Sequence, residues 1–106
     1  SGLRPVFTSA GMKEVTTTAL ITETDISALV VADNQSGQGE ICVRTLCLTN
    51  PCYVSFGPAA SPPVSNSTMM ILPANASEHF KIKSTDVSVY LQQITGAGTF
   101  HLSVWK

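Results

Sequence analysis

The sequence predicts an all-β fold: a single antiparallel β-sandwich, with the jelly roll as a candidate topology, preceded by an extended N-terminal arm. Two observations carry that prediction. Apolar residues recur at every second position in segment after segment, the period of a strand with one buried face, and the helical period hardly occurs. Charged residues make up only 12% of the chain, about half the usual quarter. Solvent-facing positions are therefore filled by Thr, Ser, Asn and Gln rather than by the Glu and Lys of a solvated helix. A chain of 106 residues makes one domain. At that size folding buries roughly two-thirds of the unfolded surface, enough for one core.

The opening stretch "SGLRPVFTSAGM" mixes Gly and Pro with isolated apolar residues, so we assign residues 1–13 to an arm and 14–106 to the sandwich. "EVTTTALI" (14–21) is rich in β-branched residues, which favour strands. "ISALVVA" (26–32) follows the capping-type "TETD" and fits a strand or a turn of helix; we take it as a strand. "DNQSGQGE" (33–40) is a polar, Gly-rich loop. "ICVRTLCLT" (41–49) and "CYVSF" (52–56) are strands joined at Asn50-Pro51. "GPAASPPVSNS" (57–67) is about as long as a loop becomes in a compact domain without a function of its own. "TMMIL" (68–72) is a short strand, and "EHFKIK" (78–83) turns Phe80 and Ile82 inward. The last two strands, 87–94 and 99–105, alternate cleanly, and the Gly-flanked link between them marks a hairpin. About eight strands punctuated by turn residues describe a sandwich.

Composition narrows the function. Six Lys and Arg stand against seven Asp and Glu, a formal net charge of −1. No basic stripe of the kind a nucleic acid or anionic membrane requires is present, so neither is expected as a partner. No apolar run approaches the roughly 20 residues that span a bilayer, and the opening residues lack the apolar stretch of an export signal. No cofactor is expected.

Cys42, Cys47 and Cys52 are spaced five and five, without the close pairs of a zinc site. Cys42 and Cys47 fall on opposite strand faces. Cys47 and Cys52 could meet across a tight Asn50-Pro51 bend as a disulfide, but the odd third cysteine favours small buried thiols, and that is our expectation. His79 and His101 are placed on outward faces, and no GxSxG, HExxH or paired-carboxylate motif accompanies them. We expect no catalytic residues and no metal site. Three Asn-x-Ser/Thr triplets begin at Asn34, Asn66 and Asn75 and are attributed to chance. Trp105 faces away from Phe100 and Leu102, so it either caps the sandwich edge or anchors a subunit contact.

The stretch "CLTNPCYVSFG" (47–57), preceded by "VTTTA" at 15–19 and followed by Leu72-Pro73-Ala74 and the final hairpin-type segment from Val87 to Val104, resembles small structural proteins of tailed bacteriophages. The resemblance runs over about residues 14–105 and rests on the order of individually generic β motifs. It implies a virion component: a head decoration or cement protein, or a fibre-type accessory subunit, located in the virion and in the host cytoplasm during assembly. Its partners would be the major capsid protein or other virion subunits, and copies of itself, with a trimer as the expected stoichiometry. The three cysteines and the long arm depart from that pattern. The residues assigned to partner contact are Leu3, Arg4, Pro5, Val6 and Phe7 in the arm, Pro62 and Pro63 in the long loop, and Trp105. The alternative is a tail or fibre module binding a host receptor through the 33–40 and 57–67 loops.

Overall fold

A computed structural model describes residues 4–7, 9–33 and 40–105. Two four-stranded antiparallel sheets face each other. The first contains β1 (Met12–Thr16), β8 (Thr99–Trp105), β3 (Glu40–Leu48) and β6 (Ser77–Lys83), in that order. The second contains β2 (Thr22–Asp25), β7 (Ser88–Gln93), β4 (Cys52–Gly57) and β5 (Met70–Leu72). The pairings nest: β4 with β5, β3 with β6, β2 with β7, β1 with β8. The chain is thus one long ribbon doubled back at residues 58–69 and rolled into two layers, with β3 also pairing β8 and β4 also pairing β7.

Period-two alternation places the core as expected. Ile41, Val43 and Cys47 of β3, Ile82 of β6, and Phe100, Leu102 and Val104 of β8 turn inward to meet Val89, Leu91, Cys52, Val54 and Leu72 of the second sheet. Phe56 and Phe80 close the side between the sheets with ring centroids 6.3 Å apart. Thr45, buried on β3, satisfies its hydroxyl on the Glu78 carbonyl at 3.1 Å.

Four expectations fail, each for an identifiable reason. The 94–98 link does not close a hairpin: β7 and β8 lie in different sheets and do not pair, so the link crosses from one layer to the other. Residues 26–32 do not form a strand: Ser27–Asp33 is a helix, α1. The Asp25 carboxylate accepts the Ser27 amide at 2.8 Å, satisfying one of the donors a helix start leaves open. Ile26, Leu29 and Val30 have the spacing of one helical face, and all three are buried. The strand expected over 14–21 ends at Thr16, and "TETD", read as a cap, is itself β2. Residues 17–21 instead cross between the sheets. The buried Thr17 donates its amide to the Gly98 carbonyl at 3.1 Å, and the Thr18 carbonyl accepts from the Gln93 amide at 2.7 Å. Finally, Cys47 and Cys52 are not thiols. They form a disulfide with Cα atoms 6.6 Å apart, leaving Cys42 unpaired. The turn at 49–51 carries the chain from one sheet to the other, with Thr49 at φ +79°, so the two buried cysteines face each other across the core.

The sandwich has two unlike ends. At the turn end, the disulfide, Gln93 and the 94–98 link from β7 to β8 gather together. At the arm end, α1 packs against β8 and against a 3-10 turn at Ser9–Gly11.

Candidate interaction surface

The arm is not loose where it is described. Pro5 bridges Trp105, and the Val6 amide donates to the Val104 carbonyl at 2.9 Å, extending the first sheet at its arm end. Val6 packs against the core from this position. Phe7, next in sequence, is 80% exposed, and Arg4 is exposed. Leu3 lies outside the described residues. Trp105 is half-buried: its indole nitrogen donates to Ser103 Oγ at 2.9 Å, and its ring meets His79 edge-on at 5.4 Å. The structure therefore brings Pro5 and Trp105 together, with Val6 and Phe7 alongside.

It does not bring Pro62 and Pro63 to them. The 57–67 loop lies over the outward face of the second sheet, whereas Trp105 lies on the outward face of the first. Nor does that loop project. Its base is tied down by Tyr90, whose hydroxyl donates to the Pro58 carbonyl and accepts the Ser61 amide at 3.0 Å. Glu23 adds a second anchor: its carboxylate accepts the Ala60 amide at 3.0 Å and the Ser88 hydroxyl at 2.7 Å. These contacts, led by Ser88 and then Ala60, hold the Glu23 carboxyl below its ordinary range. Farther along, the Asn66 amide donates to Gln92 Oε1 at 3.2 Å. Tyr90 is outward by alternation yet buried, because the loop covers it. An aromatic ring at a nominally outward position was the available signal for this cover.

His101 Nε2 stands 3.6 Å from Glu14 Oε2 on the outward face of the first sheet, beside Arg44 and Ser103 in a shallow depression of about 450 Å³. Ser103 Oγ takes its hydrogen bond from Trp105. Among the described residues no three His, Cys, Asp or Glu side chains converge as metal ligands. Among them, too, no helix is long and apolar enough to cross a membrane.

The two outward faces differ. Arg44, Lys81, His79 and His101 project from the first. The strands of the second, "TETD", "SVYLQQ", "CYVSFG" and "MIL", hold no Lys, Arg or His, and their only charges are Glu23 and Asp25. Leu20, Val64 and Ile71 are exposed on that side, Val64 completely. Leu20 and Val64 share one depression with Gln92, which neighbours Tyr53 and, beyond it, Ile71.

No family model matches this chain, and neither does any curated protein. Among solved structures it is similar to a protein described under "Bacillus endospore appendages form a novel family of disulfide-linked pili", with 13% identity, a TM-score of 0.51, and coverage of 97% of this chain and 84% of that one. The Tobacco streak virus coat protein gives 10% identity and a TM-score of 0.45, covering 89% of this chain and 85% of that one. At such identities the first likeness is one of fold: a β-sandwich of nearly the same extent.

Proposed function

We propose that this chain is a non-catalytic structural subunit of a multi-copy assembly, and within that class a tailed-phage head decoration protein that grips neighbouring capsid subunits through its arm. The observation that carries the reading is the arm itself. It is pinned to β8 through Pro5 and Val6, and it then presents Phe7 outward at 80% exposure. A large apolar side chain held out by a fixed backbone suits capture in a partner's pocket, where it would contribute roughly 1.5–3 kcal/mol per copy on burial, multiplied over many copies.

The nested strand pairing supports reading the sandwich as a jelly roll, an architecture used by viral capsid domains among others. The pilus protein of similar fold adds a second example of a sandwich of this size serving as a building block. Self-association, with the trimer as working stoichiometry, and a virion location belong to the same proposal, as does the division into arm (1–13) and sandwich (14–106). The receptor-binding alternative loses support at one of its two loops, because 57–67 lies flat and pinned; residues 34–39 of the other lie outside the described residues.

Binding to purified capsids, read by co-sedimentation, tests the arm. Deleting residues 1–11 is too blunt, because it removes Val6 from the core margin. Phe7→Asp leaves that packing in place. We expect it to reduce capsid binding at least tenfold with an unchanged melting temperature; unchanged binding would refute the arm as the grip.

A further inference from the structure

We propose that copies of this chain stack front to back, the outward face of one copy's β1-β8-β3-β6 sheet docking on the outward face of the next copy's β2-β7-β4-β5 sheet. This rests on the structural-subunit reading and names the partner: a second copy of the chain.

The charge partition between the two faces carries the inference. Strand register sets the outward rows of the first face. Trp105, Cys42 and Lys81 lie side by side in one row, and Ser103, Arg44 and His79 in the next. Arg44 and Lys81 are thus close neighbours, Lys83 follows on β6, and the acids of this face by register are Glu14, on the edge strand β1, and Glu40, opposite Lys83. The second face offers the reverse. Glu23 and Asp25 line its β2 rim, no base occurs in its strands or in residues 58–69, and its exposed apolar side chains include Leu20 and Val64.

Two copies joined through the first face alone would press Arg44 and Lys81 toward their own duplicates, and like charges across an interface cost affinity and deny register. Front-to-back docking sets those cations against Glu23 and Asp25. The aliphatic stems of Arg44 and Lys81, together with Trp105, then cover Leu20 and Val64, since long basic side chains shield apolar surface while keeping their charge at the rim. Because the two surfaces differ and sit on opposite sides of one molecule, the contact does not close on a pair. It repeats, giving a ring or a filament.

Two variants, each spoiling one face, provide the test. Arg44→Glu with Lys81→Glu reverses the first face, and Leu20→Glu with Val64→Glu charges the second. Lys81→Glu alone, at an exposed position, stands in if the first double variant proves unstable. Size-exclusion chromatography with light scattering reads the mass. The unmodified chain should show a concentration-dependent series of species that shrinks in high salt, because screening weakens exposed charge pairs. Each variant alone should stay at the 11.2 kDa of one chain. An equimolar mixture, in which each variant still owns the face the other lacks, should give a one-to-one dimer and nothing larger.

A variant that still dimerises by itself means same-face pairing and overturns the proposal. So does a mixture that stays monomeric, or an unmodified chain that is monomeric throughout. Assembly that survives both variants refutes the stacking while leaving the structural-subunit reading intact. Failure of that reading is told separately, by a chain that neither assembles nor binds capsids.

Discussion

At one end of the sandwich, the Cys47–Cys52 disulfide, the Gln93 side chain and Asn75 tie the strand ends together. At the other, Leu29 and Val30 of α1 and Val6 of the arm fill the mouth with aliphatic groups. The turn end is polar and covalent. Gln93 Nε2 donates to the Pro51 and Thr95 carbonyls at 3.1 and 2.9 Å, Gln93 Oε1 accepts from Thr17, and Asn75 joins the Cys47 carbonyl to the Thr49 amide. Short reversals leave backbone groups without ladder partners, and those beside the buried Gln93 and Thr17 must be satisfied on the spot. The arm end has longer connections, which leave room for a helix whose apolar face substitutes for the missing strand ends. One end is specified by hydrogen-bond direction and the other by volume, so the two should fail differently.

The largest expected effect lies at the arm end. Leu29 is 3% exposed, and Leu29→Ala should cost about 3 kcal/mol through lost transfer energy and a residual cavity. Urea unfolding measures it. A cost below about 1 kcal/mol would show that the mouth collapses readily around smaller side chains and that α1 is a lid rather than a plug.

Second comes the disulfide. Cys47→Ala with Cys52→Ala should lower stability by about 2 kcal/mol, the loop-closure value for so short a loop. The same measurement under reducing conditions should reproduce most of that loss in the unmodified chain. If removal costs nothing, Gln93 and Asn75 hold the turn end unaided, and the contrast between a covalent end and a packed end disappears. Thiol titration of the native protein should find Cys42 alone.

The same contrast explains what the sequence disclosed and what it concealed. β3, β6 and β8 were legible because each keeps one apolar face in alternation over six or more residues, and β7 through Val89 and Leu91, although the 57–67 loop buries its other face as well. α1 was not, since a seven-residue run rich in Ile, Val and Leu satisfies strand and buried helix alike. Its deciding features, the Asp25 cap and the Ile26, Leu29, Val30 spacing, compete with β-branched propensity and prevail only because the sandwich mouth needs filling. The disulfide depends on the Asn50-Pro51 turn crossing between sheets, a tertiary fact absent from cysteine spacing. At the candidate surface, the apolar character of the arm could be read directly. Its meeting with Trp105 could not, because that requires knowing which strand ends share an end of the sandwich. Alternation with Val89 and Leu91 turns Tyr90 outward, but nothing in the spacing shows that the 57–67 loop covers it.

The smallest expected effect refines the arm end, where Glu23 supplies a polar tie outside the packed mouth. Its carboxyl is held below its ordinary value of 4.5 by the Ser88 hydroxyl first and the Ala60 amide next, with Tyr90 adding to them and partial desolvation opposing. A group whose folded pKa is depressed contributes stability above its unfolded pKa and loses it as pH falls through the folded value. The window therefore opens near 4.5 and extends downward. Because Glu23 is exposed, the expected readout is local: faster exchange of the Ala60 and Ser61 amides as pH falls below the ordinary carboxyl value, after correction for intrinsic rates, with the melting curve little changed. Glu23→Gln should abolish that pH dependence. Protection that stays constant across the window would mean that Tyr90 alone pins the loop, and the arm end would then rest on packing and neutral hydrogen bonds.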